Sequence, residues 1–332
     1  MRLKIIATAV AILSGISVRP ALAEATIEPE RGTLSFVFEN DLFYKTDRDY
    51  TNGVELSYTS PTQATPEFID KIARSLPFFS TEGKVRASYA VGQSIFTPSD
   101  TRSVIPPPTQ RPYAGFLYGS VGVTDDTGSR LDQLSLQIGL TGPSSLASDT
   151  QRFVHRVIDD PEPMGWHSQL RGEPGVVLIY SRNVSVIPRQ SWGGLNFDFE
   201  PHYGFAVGNV YDYANAGAMA RLGFNIPEDY GPLRIEPSLP GSGFFQSTGL
   251  VGAYVFAGAD GRAIGHNLFL DGNTGRAGPS VQKNTLVGDF ELGAALTFNF
   301  MQVTFTHVVR TKEYKTQPKP DQFGAINVSF KL

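Results

Sequence analysis

Hydrophobic and polar residues alternate along most of this chain with a period of two. The last stretch shows the pattern clearly, because its apolar and polar residues take alternate positions. The apolar set is Ile326, Val328, Phe330 and Leu332, and the polar set is Asn327, Ser329 and Lys331. Successive side chains of a β-strand point to opposite faces, so this pattern predicts a strand with one apolar and one polar face. In a membrane barrel the apolar set would face lipid and the polar set the lumen.

Strand-like segments of this kind recur from one end of the chain to the other. They are 33–40, 51–60, 85–96, 113–124, 131–141, 174–187, 193–207, 215–225, 249–271, 285–299, 301–313 and 322–332. Many are longer than the strands of soluble proteins and match a tilted crossing of a bilayer. The segments form an even set, as bacterial membrane barrels do. The pattern therefore predicts an all-β fold, a transmembrane antiparallel β-barrel of about 12 strands.

The connections between the predicted strands differ in length. Those at 125–130 and 299–302 are tight turns, which suit the periplasmic rim of a barrel. We expect the long connections to lie on the outer face; they are 61–84, 97–112, 142–173, 226–248 and 272–284. Helical spacing of apolar residues occurs at 66–76 and 148–158, so short helices are expected in the extracellular loops.

The N-terminus indicates export. A basic pair near the start, an apolar run over 5–16 and Ala-Leu-Ala at 21–23 are typical of a secretory signal peptide. We expect residues 1–23 to be cleaved and residues 24–332 to form a single outer-membrane β-barrel domain. The apolar run is shorter than the roughly 20 residues that a membrane-spanning helix needs.

Composition supports a sheet in lipid. The chain has 34 Gly, 23 Phe and 13 Tyr and only 18% charged residues, a combination typical of barrels with aromatic belts. It has no cysteine, so disulfides cannot stabilise the exported protein. The net charge of -4 comes without any basic stripe, which argues against a nucleic-acid partner.

The first predicted hairpin concentrates polar residues where one strand ends and the next begins. Asn40, Asp41, Thr51 and Asn52 should lie within reach of each other across it. Carboxylate and amide oxygens are the ligands that calcium prefers. The alternative is that Asn and Asp only supply turn geometry here. The sequence leaves both interpretations open.

One of the five histidines, His155, lies on the predicted helix 148–158. The apolar residues Phe153, Val154, Val157 and Ile158 predict a buried face for this helix, and we expect it to occlude the barrel mouth. An imidazole there could take a proton from water. The alternative is a histidine that only hydrogen-bonds a neighbouring strand.

Several motifs occur in a characteristic order. They are Phe36-Val-Phe-Glu-Asn-Asp41, Asp49-Tyr-Thr-Asn-Gly53, Gly92-Gln-Ser-Ile-Phe-Thr-Pro98, Arg111-Pro-Tyr-Ala-Gly115, Leu140-Thr-Gly-Pro143, His155-Arg-Val-Ile158 and Phe323-Gly-Ala-Ile-Asn-Val-Ser-Phe330. Together they resemble the lipid A 3'-O-deacylase family of Gram-negative outer-membrane proteins, over nearly the whole mature chain. The resemblance implies a calcium-dependent esterase in the bacterial outer membrane that hydrolyses the 3'-linked acyloxyacyl chain of lipid A.

The resemblance also implies roles for individual residues. Asn40, Asp41, Thr51 and His155 match catalytic positions of the family, and Asp41 matches a ligand of its calcium ion. The family's best-known members carry an active-site lysine after the position of Pro98, where this chain has none, so that role stays unassigned.

Substrate binding should follow from the place of the site. Lipid A is the lipid part of lipopolysaccharide, and its phosphates should bind basic side chains near the rim. The candidates are Arg102, Arg111 and Arg156. Each of them could instead be a solvated loop residue. We expect a monomer in the outer membrane. Two other classes of function stay open: a passive pore, and a structural or adhesin-like barrel without catalysis.

Overall fold

The structure, a computed structural model, describes residues 30–44 and 47–332. The predicted signal peptide lies outside them. The strands are β1 (Thr33–Asn40), β2 (Asp49–Thr59), β3 (Lys84–Thr97), β4 (Ala114–Asp126), β5 (Arg130–Thr141), β6 (Pro174–Val184), β7 (Ile187–Trp192), β8 (Leu195–Gly208), β9 (Tyr211–Phe224), β10 (Val251–Asn267), β11 (Leu286–Phe298), β12 (Met301–Arg310) and β13 (Asp321–Lys331). The α-helices are α1 (Glu67–Ser75), α2 (Ala147–Ile158) and α3 (Leu268–Asp271).

The strands close into a barrel. Each pairs antiparallel with its neighbour, β1 pairs with β13, and β6 pairs with β8 to complete the ring. The short β7 continues along β8 beyond the end of β6, so twelve strands form the wall. The prediction of an all-β, twelve-stranded antiparallel barrel is confirmed. Within the described residues, none of the helices has the length and apolar character needed to cross a bilayer.

Exposed apolar side chains mark the outer wall. In β3, Tyr89 and Val91 are exposed, whereas the alternating residues Gly92 and Ser94 are buried inside. In β13, Phe330 is exposed and Ser329 is buried, as the alternation predicts. A barrel in lipid exposes its apolar set outward and fills its lumen with polar side chains.

The two ends of the barrel carry different connections. At the terminal end, where β1 begins and β13 ends, the backbone N–H of Leu332 donates to the carbonyl of Gly32 at 2.9 Å. The opposite end is called the site end below. The terminal end holds the connections 60–83, 127–129, 193–194, 225–250 and 299–300. The site end holds 41–44, 47–48, 98–113, 142–173, 209–210, 268–285 and 311–320.

Two long connections lie at the terminal end, and their predicted placement on the outer face is wrong. The connection 60–83, with α1, and the connection 225–250 both follow strands that run back toward the terminal end. Strand direction decides where a connection lies, and its length does not. Helix α1 forms where the periodicity predicts it, but beside the tight turns, with Ile69 and Ala73 packed against β3 and β4.

Residues 225–250, called the lumen segment below, fill the barrel. Arg234 of this segment lies 2.5 Å from Glu39 on β1 and 2.6 Å from Glu291 on β11, and all three side chains are buried. Side chains from four more strands bond to it: Gln133 to Gly241, Asn183 to Pro240, Tyr213 to Glu236 and Arg310 to Pro237. The lumen is therefore occupied by this segment. The prediction that the helix 148–158 occludes the barrel is wrong.

Candidate functional site on the outer wall

Helix α2 packs on the outer surface of the barrel. Its first residue, Ala147, joins a buried cluster with Ile95, Tyr113 and Trp166. Ile95 occupies the same face of β3 as the exposed Tyr89 and Val91, which is the lipid-facing one. The helix therefore lies against the wall from outside.

A glycine permits this close approach. A Cβ atom added to Gly115 on β4 would lie 2.3 Å from Cβ of Ala147 and 2.4 Å from Oγ of Ser145. Ala147 is the first residue of α2 and Ser145 lies in the turn just before it, so neither atom can move away without shifting the helix. Gly115, the last residue of the Arg-Pro-Tyr-Ala-Gly motif, thus sets the distance between helix and wall.

The side of α2 that meets the wall is polar. Ala147, Gln151 and His155, spaced by one turn each, are buried, while Phe153 and Val157 are exposed. The predicted buried face is wrong, because Phe153, Val157 and Ile158 are exposed and Val154 is only half-buried. Helical spacing shows that a helix has an apolar side, but it does not show whether protein or lipid covers that side.

The first hairpin presents its polar residues to the same outer surface. Asn40 pairs with Asn52 across β1 and β2. It lies on the same face of β1 as the exposed Phe36. The register of β2 slips between Tyr50 and Asn52, and this bulge redirects Thr51.

The redirected Thr51 meets the neighbouring strand. Its hydroxyl lies 2.6 Å from the hydroxyl of Thr97 on β3, which lies on the lipid-facing side of that strand. Asn40, Thr51 and Asn52 therefore belong to the outer wall.

His155 is held in a defined orientation. Its Nδ1 lies 2.8 Å from the carbonyl oxygen of Pro161, which can only accept, so Nδ1 carries a proton in this contact. In the neutral ring Nε2 is then the basic nitrogen. Nε2 lies 3.6 Å from Oδ2 of Asp47, in the connection between β1 and β2. The ring is therefore directed toward the first hairpin.

Asp47 is itself positioned by α2. Gln151 donates to Oδ1 of Asp47 at 3.1 Å, and Nε1 of Trp166 donates to the amide oxygen of Gln151 at 2.8 Å. The bond from Trp166 is buried, and the bond to Asp47 is partly buried. These two successive hydrogen bonds, from Trp166 to Gln151 and from Gln151 to Asp47, fix a carboxylate beside His155.

Asp41 belongs to the same hairpin. Its Oδ2 accepts a hydrogen bond from the backbone N–H of Arg48 at 2.7 Å, and Arg48 directly follows Asp47. The hairpin connection therefore joins Asp41 on one side to Asp47 and His155 on the other. Of the four residues that the sequence indicated, Asn40, Asp41 and Thr51 lie on this hairpin, and His155 contacts it through Asp47.

Asp47 was missed by sequence reasoning. It lies two residues before Asp49, and nothing in the local pattern distinguishes one aspartate from the other. The structure does: Asp49 is fully buried and accepts a hydrogen bond from Tyr314 at 3.0 Å, away from His155. Only the docking of α2 selects Asp47.

Burial makes the carboxyl group of Asp47 a weaker acid than that of an ordinary aspartate. Desolvation raises the pKa of its carboxyl, and the nearby carboxylate of Asp160 raises it further, while His155 and the hydrogen bond from Gln151 oppose the rise. Above this raised pKa the group is ionised, and below it the negative charge beside His155 is lost. The charge state of Asp47 therefore changes at a higher pH than that of an ordinary aspartate.

The oxygens of the hairpin fit a hard cation. Asp41 supplies a buried carboxylate, and the amide oxygen of Asn52 is buried without a hydrogen-bond donor among the described residues. With Thr51 on the same hairpin, these residues offer oxygen ligands only, which suits calcium. A second possible group, formed by Asp47, His155 and Asp160, offers one ligand atom from each residue, all within 4.8 Å of one another. Its imidazole nitrogen suits calcium less well.

The three candidate arginines lie in different surroundings. Arg102 is exposed in the connection 98–113 of the site end, and Arg156 is exposed on α2. Arg111 is fully buried, with its guanidinium 2.9 Å from Glu313 and over the ring of Phe96. Arg102 and Arg156 are accessible from the membrane surface, whereas Arg111 is enclosed in the barrel.

These features define a class of protein: an outer-membrane-type barrel with a filled lumen and a polar site between its outer wall and a loop helix. A family model described as outer membrane protein LpxR matches residues 6–332. The chain therefore belongs to the LpxR family, the lipid A 3'-O-deacylase family that its motifs resemble.

Solved structures are similar to this chain to different degrees, and the first of them shares its fold. LpxR from Salmonella typhimurium is 20% identical, with a TM-score of 0.74 over 90% of this chain and 100% of that one. The β domain of the Bordetella autotransporter BrkA is 8% identical, with a TM-score of 0.44 over 92% and 100% of the two chains. The NalP translocator domain from Neisseria meningitidis is 10% identical, with a TM-score of 0.38 over 91% and 88%. The search of curated proteins found no match.

The contact at Gly115 leads to a testable expectation. Gly115→Val places a side chain where Ala147 and Ser145 now lie and pushes α2 away from the wall. A displacement of about 1 Å can cost roughly a hundredfold in rate, so we expect a loss of that order with the barrel intact. Activity assays and heat-modifiable migration on gels measure the two properties. Gly119→Val on the same strand, where an added Cβ meets only the carbonyl oxygen of Ala90 at 3.9 Å, is the control. Equal activity of both variants would contradict the role of Gly115.

Proposed function

We propose that this protein is a calcium-dependent lipid A deacylase that removes the 3'-linked acyloxyacyl chain by direct attack of water. The observation that carries the proposal is the orientation of His155, whose Nε2 points from a lipid-side helix toward the hairpin of Asp41. The site is on the outer wall, where a lipid substrate in the outer leaflet can reach it. Membership of the LpxR family supports the substrate class.

His155 acts as the general base. Nε2 takes a proton from a water molecule as the water oxygen bonds to the ester carbonyl carbon. The same proton passes to the departing alkoxide when the ester C–O bond breaks. Pro161 holds the Nδ1 proton, so the ring keeps the tautomer that this step needs. The Asp47 carboxylate, 3.6 Å from Nε2, stabilises the imidazolium that forms between the two transfers.

The hairpin stabilises the oxyanion. The Asn40 amide oxygen accepts from the backbone N–H of Leu42 at 2.8 Å, which fixes the amide and assigns its NH2 group as the donor to the oxyanion. Asp41, with Asn52 and Thr51, would hold calcium; the bound ion supplies positive charge for the developing negative charge on the carbonyl oxygen. Oδ2 of Asp41 is held by the backbone N–H of Arg48, so the carboxylate is oriented in advance.

Lipid A can approach from the side. Leu42 and Phe43, which directly follow Asp41, are exposed on the outer wall, with Phe43 packed against Phe305. They give the acyl chains an apolar path to the hairpin. We assign the exposed Arg102 and Arg156 to the phosphates of the substrate, as point charges near the rim.

The test is release of the acyloxyacyl chain. Purified protein in detergent, or cells that express it, should yield lipid A lighter by one such chain, as measured by mass spectrometry. Chelation of calcium should stop release and added calcium should restore it. Unchanged lipid A under all these conditions would overturn the proposed function.

Asp41→Ala should lower release by about a hundredfold or more, because it removes the carboxylate proposed to hold the cation beside the oxyanion. Mass spectrometry of lipid A measures the loss, and heat-modifiable migration shows that the barrel remains folded. Glu67→Gln on α1, an exposed carboxylate at the terminal end, is the matched control and should keep full activity. Full activity of the Asp41 variant would exclude this ligand assignment.

The raised pKa of Asp47 predicts a pH dependence. As the pH falls through that pKa, protonation removes the negative charge beside His155, so activity declines earlier than an ordinary aspartate would cause. Asp47→Asn is neutral at every pH and should lose about tenfold at neutral pH but less at low pH, relative to the unchanged protein. A pH–rate profile measures this. A loss that is the same at every pH would contradict it.

A further inference from the structure

Helix α2 has three distinct faces rather than two. Ala147, Gln151 and His155 meet the wall. At 100° per residue, Phe153 and Val157 fall on one flank beside this buried face, with the half-buried Val154 between them and the wall. The remaining side carries three exposed charged residues: Asp149, Arg152 and Arg156.

The apolar flank is too exposed to belong to a water-facing helix. Phe153 is 61% exposed and Val157 is 68% exposed. The neighbouring wall is also apolar toward the outside, since Val121 on β4 and Ile138 and Leu140 on β5 are exposed. The flank of α2 is therefore continuous with the lipid-facing surface of the barrel.

We propose that α2 lies in the plane of the outer leaflet interface, with Phe153 and Val157 among acyl chains and Arg152 and Arg156 at the layer of lipid phosphates. An apolar flank beside a charged side that carries two arginines and one aspartate is the pattern of interfacial amphipathic helices. The partner of this surface is an anionic lipid leaflet. The consequence for catalysis rests on the proposed function: the leaflet presses α2 against the wall and so completes the site around His155.

The attachment of α2 explains why it needs this support. Its first turn is held by close packing of Ala147 on Gly115 and Ile95. Farther along, the described wall-side contacts are the polar ones of Gln151 and His155 with Asp47, Pro161 and Trp166. Burial of Phe153 and Val157 in lipid adds about a tenfold bias per side chain toward the docked helix.

A second copy of the chain could also cover the flank. Two large side chains and a half-buried valine offer far less area than a stable protein interface, which buries about 800 Å² on each partner. Arg152 and Arg156, two of the three charged residues on the remaining side, match lipid phosphates. Lipid is therefore the occupant that charge and area favour.

Spin labels test the placement directly. Because the chain contains no cysteine, single replacements at Phe153, Val157 and Asp149 accept a nitroxide at one position each. In vesicles with anionic lipid, we expect labels at 153 and 157 to be accessible to oxygen but shielded from a water-soluble nickel complex, and the label at 149 to show the reverse. Water-like accessibility at all three positions, or spin–spin coupling between chains, would overturn the proposal.

A matched pair of variants tests the consequence. F153S/V157S removes two exposed apolar side chains from α2, and V255S/F290S removes the same types, 54% and 57% exposed, from the far wall. We expect the α2 variant to lose about tenfold or more in activity on vesicles relative to detergent micelles, and the wall variant to keep that ratio. An unchanged ratio in the α2 variant overturns the inference. If the unchanged protein releases no acyl chain in either setting, the proposed function fails, and the spin labels still decide the placement of the helix.

Discussion

His155→Ala lowers acyl-chain release by roughly 10²–10⁴-fold, the range that general bases contribute. The loss follows from removal of Nε2, the only group the proposed mechanism uses to accept the proton of water. His155→Gln should be equally inactive, because its amide can donate to Pro161 but cannot accept that proton near neutral pH. Rates in detergent with saturating calcium measure both variants.

The control for this loss lies in the same connection of the chain. His167 is exposed beside Trp166 and contacts Ser168, so His167→Ala should keep full activity and calcium response. Barrel folding is monitored by heat-modifiable migration. Near-normal release by the His155 variants would show that another group activates water, and the site would need a different base.

Arg234→Met lowers the free energy of unfolding by about 3–5 kcal/mol, the cost of leaving buried charges without their partner. The guanidinium lies between Glu39 and Glu291 inside the barrel, and both carboxylates are buried. Arg234 also connects the lumen segment to β1 and β11. Urea unfolding in detergent, followed by gel migration and circular dichroism, measures the change.

Two further variants make this prediction specific. The triple variant R234M/E39Q/E291Q should recover most of the lost stability, because the two carboxylates no longer lack a counter-ion. Arg74→Met on α1 removes a half-exposed ion pair with Asp70 and should cost less than about 1 kcal/mol. Equal effects of the Arg234 and Arg74 variants would contradict the view that the lumen segment is held by buried charge.

The lumen segment occupies the interior that a passive pore would need to be open. It bonds to strands all around the ring, from β1 and β5 to β12, by way of Arg234, Gly241 and Pro237. Nothing in its sequence indicates a position inside a barrel, since its prolines and glycines are equally typical of an outer loop. Its place follows from buried arginine–carboxylate pairs between residues distant in the chain.

Alternation alone was sufficient to predict the wall. The period of two set the strands, their even number and the inward position of residues such as Ser329, because each strand must expose one face to lipid. The break between β6 and β7 was not predictable, since alternation continues through 174–187. The outer-face placement of 61–84 failed because loop length was taken as a guide where strand direction decides.

For the site, the motifs were enough to indicate Asn40, Asp41 and Thr51 at the first hairpin and His155 on α2. Packing was needed to show that α2 docks beside this hairpin on the outside of the barrel. It also showed that Asp47 rather than Asp49 faces His155, and that Arg111 is enclosed. The physical reason is that a strand or helix pattern records which side chains share a face. What covers that face depends on packing between segments far apart in the chain.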